Sequence, residues 1–334
     1  MHLLEHLKAN GLDFVFKGGT SLVLLLEDFN RFSIDIDIIC NTDRQSLENI
    51  LNKVIASSNF KSFKLDEYRS YQEGVPKAHY SFAFDSATRG KYTGTILLDV
   101  LMEESVYPEL TEKPVQAKWI ETTTATKVVV PTVDALTGDK LTAFAPNTIG
   151  IPYFKGEDQQ PFSMEICKQL FDLSQLFEKI ENLAIVAQSF ESFARQEIEY
   201  RKNTIPNLTI EEVLRDTIDT CIILTRRGKG STDEKQKFSE LQKGIKALGS
   251  GFLMKGKFRI DEAVSAAARI AYISAKLLGK DLSPIEFYQG EDLQEISIGN
   301  PDWSFLNRLK KLPDKSAYYY WYKTLEVMGL VSKV

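Results

Sequence analysis

The sequence predicts an α+β fold, with a small mixed β-sheet and flanking helices over residues 1–150 and an α-helical domain over 151–334. Three observations carry this prediction. Strand-like segments rich in Val, Ile and Thr lie before Pro131, a stretch holding Gly150, Pro152 and Gly156 interrupts the chain, and beyond it strand signals almost vanish while apolar residues recur at helical spacing. A chain of 334 residues is long enough for two domains, and 43% hydrophobic content builds a core in each.

The elements follow in order. Leu3 to Asn10 reads as a helix, Asp13 to Phe16 as a short strand, Ser21 to Glu27 as a helix, Phe32 to Cys40 as a strand and Gln45 to Ser57 as a helix. Tyr80 to Phe84 and Thr95 to Met102 read as strands, and Trp119 to Val130 as one or two more. Thr132 to Ala145 is a helix stopped by Pro146, and Pro146 to Pro161 reads as a linker. Helical spacing then runs through Met164 to Arg201, Ile210 to Arg226, Asp233 to Leu248, Ile260 to Leu278 and Asp314 to Val327.

The densest chemistry lies near the N-terminus. Lys17-Gly18-Gly19-Thr20-Ser21 joins a strand end to a helix start, where small residues allow close approach to the backbone and free N–H groups, helped by two hydroxyls, suit a triphosphate tail. From Arg31 to Ile38 the sequence alternates, with Arg31, Ser33, Asp35 and Asp37 on one side and Phe32, Ile34, Ile36 and Ile38 on the other. Two carboxylates on one strand face repel unless a cation lies between them, and Mg²⁺ takes such oxygens while leaving room for phosphates. Each half alone has a plain reading, as an ordinary turn or a solvated strand face. The two together, in this order, point to metal-dependent nucleotidyl transfer.

A third carboxylate would complete a two-metal site. Asp99, inside the apolar run Thr95-Ile96-Leu97-Leu98-Asp99-Val100-Leu101, is the first choice, because a buried acid is costly unless paired or coordinated, and Asp85 is the weaker alternative.

Composition narrows the partners. The net charge of −5 argues against a surface that embraces nucleic acid throughout, so any RNA contact is local. Arg308 to Lys323 mixes cations with Tyr318, Tyr319, Tyr320, Trp321 and Tyr322; it reads first as an amphipathic helix that buries part of the cluster, and second as a base-stacking platform. Arg226, Arg227 and Lys229 form a smaller basic cluster at a helix end. The apolar run Leu22 to Leu26 is too short to cross a bilayer, so no membrane association and a cytoplasmic location are expected. Cys40, Cys167 and Cys221 lack metal-ligand spacing, as do His2, His6 and His79, and reduced thiols without a structural metal are expected.

The run from Lys17 through Asp37 closely resembles the start of the AbiEii/AbiGii toxin family of nucleotidyltransferases, which includes the mycobacterial MenT toxins and falls within the DNA polymerase β-like nucleotidyltransferase superfamily. Asp139-Lys140-Leu141-Thr142-Ala143 resembles that family's Lys-Leu-x-Ala motif, and Lys168-Gln169-Leu170-Phe171-Asp172-Leu173 its later Lys-x-x-x-Asp-Leu segment. The resemblance implies catalytic roles for Asp35, Asp37, Asp99, Lys140 and Asp172, nucleotide contacts from Gly18, Gly19, Thr20, Ser21, Arg31, Lys140 and Lys168, and two Mg²⁺ on Asp35, Asp37 and Asp99. It further implies an NTP substrate, a tRNA 3′ end as acceptor, a cognate antitoxin, and the role of toxin in a type IV toxin–antitoxin or abortive-infection system. Transfer to a protein side chain or small molecule is the second reading, and a non-catalytic nucleotide-binding partner the third. Gln169 stands where the family often has an acid, and Pro146-Asn147-Thr148 where it often has a base.

Overall fold

Helix α1 (His2–Ala9) leads into β1 (Val15–Lys17), α2 (Gly18–Leu25), β2 (Ile36–Ile39), α3 (Arg44–Ser57), β3 (Phe60–Leu65), α4 (Glu67–Ser70), β4 (Lys77–Asp85), β5 (Thr93–Leu101), β6 (Leu110–Pro114) and β7 (Lys127–Pro131). The computed structural model describes residues 1–332 except 71–73, 88–89, 91, 119, 121, 123–124 and 157. The chain divides into two compact units, Met1–Thr132 and Val133–Val334.

In the first unit seven strands form one sheet in the order β3-β4-β5-β2-β1-β7-β6. The pairs β2–β5 and β1–β7 are parallel and the others antiparallel, which is the mixed sheet expected. Register explains what lies on each face. Phe16, Ile38, Val100 and Ala78 are successive partners across β1, β2, β5 and β4, and all four are at most 2% exposed. They share a core with Leu3, Leu4 and Leu7 of α1 and with Leu47, Leu51 and Val54 of α3. Fully burying each large apolar side chain contributes about 1.5–3 kcal/mol, so this face fixes the register.

Several predicted boundaries shift. The strand expected over Phe32 to Cys40 is ordered as β2 only from Ile36, and Phe32 and Ile34 are 53% and 67% exposed instead of packed. The reason is local: Thr20 donates its hydroxyl to the Asp35 carbonyl at 2.6 Å, holding this segment through a side chain where a ladder would otherwise run. Helix α2 begins at Gly18, three residues earlier than expected, so the glycines belong to its first turn. β3 and β6 were not anticipated; both are edge strands, half-exposed and charged, without strong apolar alternation. Trp119 lies outside the described residues, and of the strand material expected over 119–130 the described part is β7.

The second unit comprises α5 (Val133–Ala143), a small ribbon of β8 (Phe154–Lys155) and β9 (Gln160–Pro161), then α6 (Ser163–Phe177), α7 (Leu183–Arg201), α8 (Ile210–Arg226), α9 (Thr232–Gly251), α10 (Ile260–Leu278), a 3₁₀ helix (Ser304–Lys311) and α11 (Ser316–Val327). The helical character expected beyond residue 150 holds, but the boundary between the units falls at Thr132 because α5 packs on α6 and α7. At their crossing an added Cβ on Gly138 would lie 2.5 Å from the Val186 carbonyl, so only glycine permits this approach. The stretch 146–161 is part of this unit, since Asn147 and Thr148 donate three hydrogen bonds to the buried Asp216 carboxylate. One expected helix, Met164 to Arg201, is two. The Asp134 carboxylate accepts from the N–H groups of Glu181 and Asn182, and the Asn182 side chain caps α7 through Ala184 N, which together turn the chain without proline or glycine. Thr209 with Glu212 and Ser231 with Glu234 form reciprocal capping boxes that start α8 and α9.

Candidate active site

On the sheet face opposite the apolar row, the same register lines up ionisable side chains. Lys17 of β1 pairs with Asp37 of β2, Asp37 with Asp99 of β5, and Asp99 with His79 of β4. Partners in register share a face, so two acids stand side by side on neighbouring strands with a base at each end. Asp99 is fully engaged. Its Oδ1 lies 2.7 Å from His79 Nδ1 and its Oδ2 accepts from Arg69 at 3.2 Å. Asp37 is half-buried, and Asp35 is exposed in the segment that precedes β2.

The glycine turn is shaped around these residues. Gly18 has φ +75°, and a Cβ there would lie 2.1 Å from Asp37 Oδ2, so the carboxylate rests directly on the helix start. A Cβ on Gly19 would meet the Arg31 guanidinium at 2.4 Å. Both glycines thus make room for the chain's own side chains. Arg31 is buried, and one of its nitrogens donates to the Phe32 carbonyl at 3.0 Å. Thr20 and Ser21 are buried as well, Thr20 bonded to Ser33 and to the Asp35 carbonyl and Ser21 to the Gly18 carbonyl. Their hydroxyls position the turn and the acid segment.

The second unit holds the other expected residues. Lys140 of α5 donates to Asp172 Oδ2 of α6 at 2.7 Å and to Gln169 Oε1 at 3.2 Å, and both members of the ion pair are buried. Gln169, the departure from the family pattern, thus serves as a neutral acceptor for the same ammonium. Lys168 does not make the one-turn pair with Asp172 that its spacing allows. It lies 3.8 Å from Glu165 and 4.7 Å from the centre of the Phe252 ring.

The C-terminal cluster resolves toward its first reading. Tyr318, Tyr319, Tyr320 and Trp321 are buried, and the Trp321 indole donates to Thr225. Lys310 bonds to the Gln294 carbonyl, and Lys323 to Glu286 and Glu326. These rings are core and are not available to unpaired bases.

Sequence reasoning missed Lys17, Arg69 and His79 as neighbours of the acids. Their only signal is register, which a sequence does not display. Asp35, Asp37 and Asp99 offer hard oxygen donors of the kind Mg²⁺ takes, so the chemistry fits a divalent cation. Among the described residues no three His, Cys, Asp or Glu side chains are gathered into a shell, and both oxygens of Asp99 are turned to His79 and Arg69.

A glycine-opened helix rests on an acid of a mixed sheet, beside a second acid in register. The match to the family described as nucleotidyl transferase AbiEii toxin, type IV toxin–antitoxin system, extends over residues 2–241, and the chain belongs to that family. Its membership makes it a nucleotidyltransferase toxin of a type IV system, a class that works with an NTP and is countered by an antitoxin. No curated protein matches. Among solved structures, the chain is similar to the MenT4 nucleotidyltransferase toxin of Mycobacterium tuberculosis H37Rv at 13% identity and TM-score 0.43, covering 84% of this chain and 90% of that one. It is also similar to a candidate nucleotidyltransferase of H. pylori at 15% identity and TM-score 0.34, covering 74% and 91%. Among the described residues no helix is long and apolar enough to cross a membrane.

Proposed function

We propose that the protein transfers a nucleoside monophosphate from an NTP to the 3′-terminal hydroxyl of a tRNA, with release of pyrophosphate. The observation that carries this reading is the parallel register of Asp37 and Asp99, with Gly18 packed beneath the Asp37 carboxylate. Asp35, Asp37 and Asp99 would hold Mg²⁺, which when bound lowers the pKa of the acceptor hydroxyl and neutralises phosphate charge. The first-turn N–H groups of α2 present a positive helix end to the phosphates, and Thr20 fixes the Asp35 backbone relative to that end. His79 orients Asp99 through Oδ1. Within the second unit Lys140 is held by Asp172 and Gln169, and its charge is needed for transfer. The first unit binds the nucleotide and blocks translation by modifying tRNA; the antitoxin relieves that block.

The test is direct. Purified protein is incubated with total tRNA and each α-labelled NTP, with and without EDTA. Label on tRNA with the parent, and none with EDTA or with Asp37→Ala, is the expected result. Label on protein alone would overturn the acceptor assignment.

A further inference from the structure

An open cavity of about 600 Å³ in the first unit is lined in part by Arg69 and His79, the two residues that hold Asp99. Its floor continues the catalytic face. Lys64, Ser81 and Leu97 are successive register partners across β3, β4 and β5, and this row lies two residues along the strands from the His79–Asp99 row, about 7 Å away. Its wall is α4, which carries Arg69 and is latched to β4 at one residue. The Asp66 N–H donates to the His79 carbonyl at 2.8 Å, and the His79 N–H donates to Ser70 Oγ at 2.9 Å. The residue whose ring holds Asp99 therefore also anchors the wall.

The lining has a division of charge that fits a nucleotide. Lys64 and Arg69 are exposed cations, while Asp66 and Glu67 bring carboxylates and Ser81 a hydroxyl. Guanidinium and ammonium groups take a phosphate; carboxylates and hydroxyls take ribose hydroxyls. Arg69 rests on Asp99 Oδ2, and its side chain is 43% exposed. The aromatic cluster of the helical unit is buried, so it does not compete for this role.

We propose that this cavity seats the 3′-terminal nucleotide of the RNA acceptor, and that Arg69 exchanges Asp99 for the phosphate of that nucleotide, freeing Oδ2 beside the acceptor hydroxyl. This rests on the RNA-acceptor reading above. His79 stays on Oδ1 throughout and keeps the carboxylate oriented, as hydrogen bonds to ligating carboxylates do. Occupation of the cavity and exposure of Asp99 are thereby one event.

The probe is a fluorescein-labelled RNA minihelix with an unpaired CCA end, titrated against the full chain in EDTA and followed by anisotropy. Arg69→Glu and Lys64→Glu are expected each to weaken binding roughly tenfold and to lower the salt slope by about one unit. Both positions are exposed, so both variants should remain folded, with Lys64→Glu matching the parent in urea unfolding. Arg69→Lys keeps the charge and should retain most of the affinity. If the parent binds and extends the minihelix while both reversals bind it with unchanged affinity and salt slope, the cavity assignment is overturned and the RNA reading stands. If the parent neither binds nor extends the minihelix, both fall.

Discussion

Lys140 Nζ lies 2.7 Å from Asp172 Oδ2, with the two side chains 5% and 0% exposed. A buried pair of this kind is costly to break from one side, since a lone buried charge remains. Lys140→Met and Asp172→Leu are each expected to cost about 3–5 kcal/mol. The double substitution should restore most of that stability and none of the transfer activity, since the role proposed for Lys140 needs its charge. Urea unfolding together with NTP turnover separates the two effects; a stable and active double variant would make the pair purely structural.

Gly18 is constrained twice, by φ +75° and by Asp37 Oδ2 at 2.1 Å from any added Cβ. Gly18→Ala should destabilise the protein by about 1–2 kcal/mol through the backbone alone, and should abolish transfer by displacing the carboxylate. Denaturant midpoints and initial rates on the same preparation measure both.

Asp37→Ala removes one of two adjacent carboxylates. Turnover is expected to be lost while the chain stays folded, since the Asp37 side chain is only half-buried. Expression of the parent should arrest bacterial growth and expression of this variant should not, at equal soluble protein.

Trp321 is buried and bonded to Thr225. Trp321→Ala is expected to cost about 3–5 kcal/mol. Charge reversal at Lys310 and Lys311 should leave acceptor kinetics unchanged across a salt titration. A changed salt slope would return these cations to the acceptor interface.

Asp281 provides the pH prediction. Its hydrogen bond from the buried Lys276, with a second from Ser283, lowers its carboxyl to about 2. A depressed carboxylate stabilises the fold at pH values above its ordinary range and loses that contribution as pH falls toward the folded value. The melting-temperature gap between the parent and Asp281→Asn should therefore be constant from about pH 7 to 5 and close between about pH 4 and 2. A gap independent of pH would show that the pairing contributes nothing in the fold.

The sequence made the local features legible and left the paired ones hidden. The apolar spacing of α8 and α10 and the acids of the Asp35-Ile36-Asp37 segment are written within a few residues of each other. The partnership of Asp99 with His79 and Arg69, and of Lys140 with Asp172 over Lys168, depends on strand register and helix packing between distant segments. The alternation from Arg31 to Ile38 misled because Phe32 and Ile34 look like strand residues, while Thr20 supplies the hydrogen bond that a neighbouring strand would otherwise make. The tyrosines of α11 read first as core and second as a stacking platform, because aromatic residues serve cores and ligands alike.

The two rows that cross β1, β2, β5 and β4 are offset by a single residue, apolar on one face and ionisable on the other. Packing errors and loss of chemistry are thus inseparable in this sheet, since any slip that exposes Ile38 also removes Asp37 from the reacting surface. For cells selected to survive expression, the target is correspondingly wide. Escape lesions should fall on Phe16, Ile38, Val100 and Ala78 as readily as on the acids themselves, and the spectrum of survivors would trace the strand pairing of the sheet.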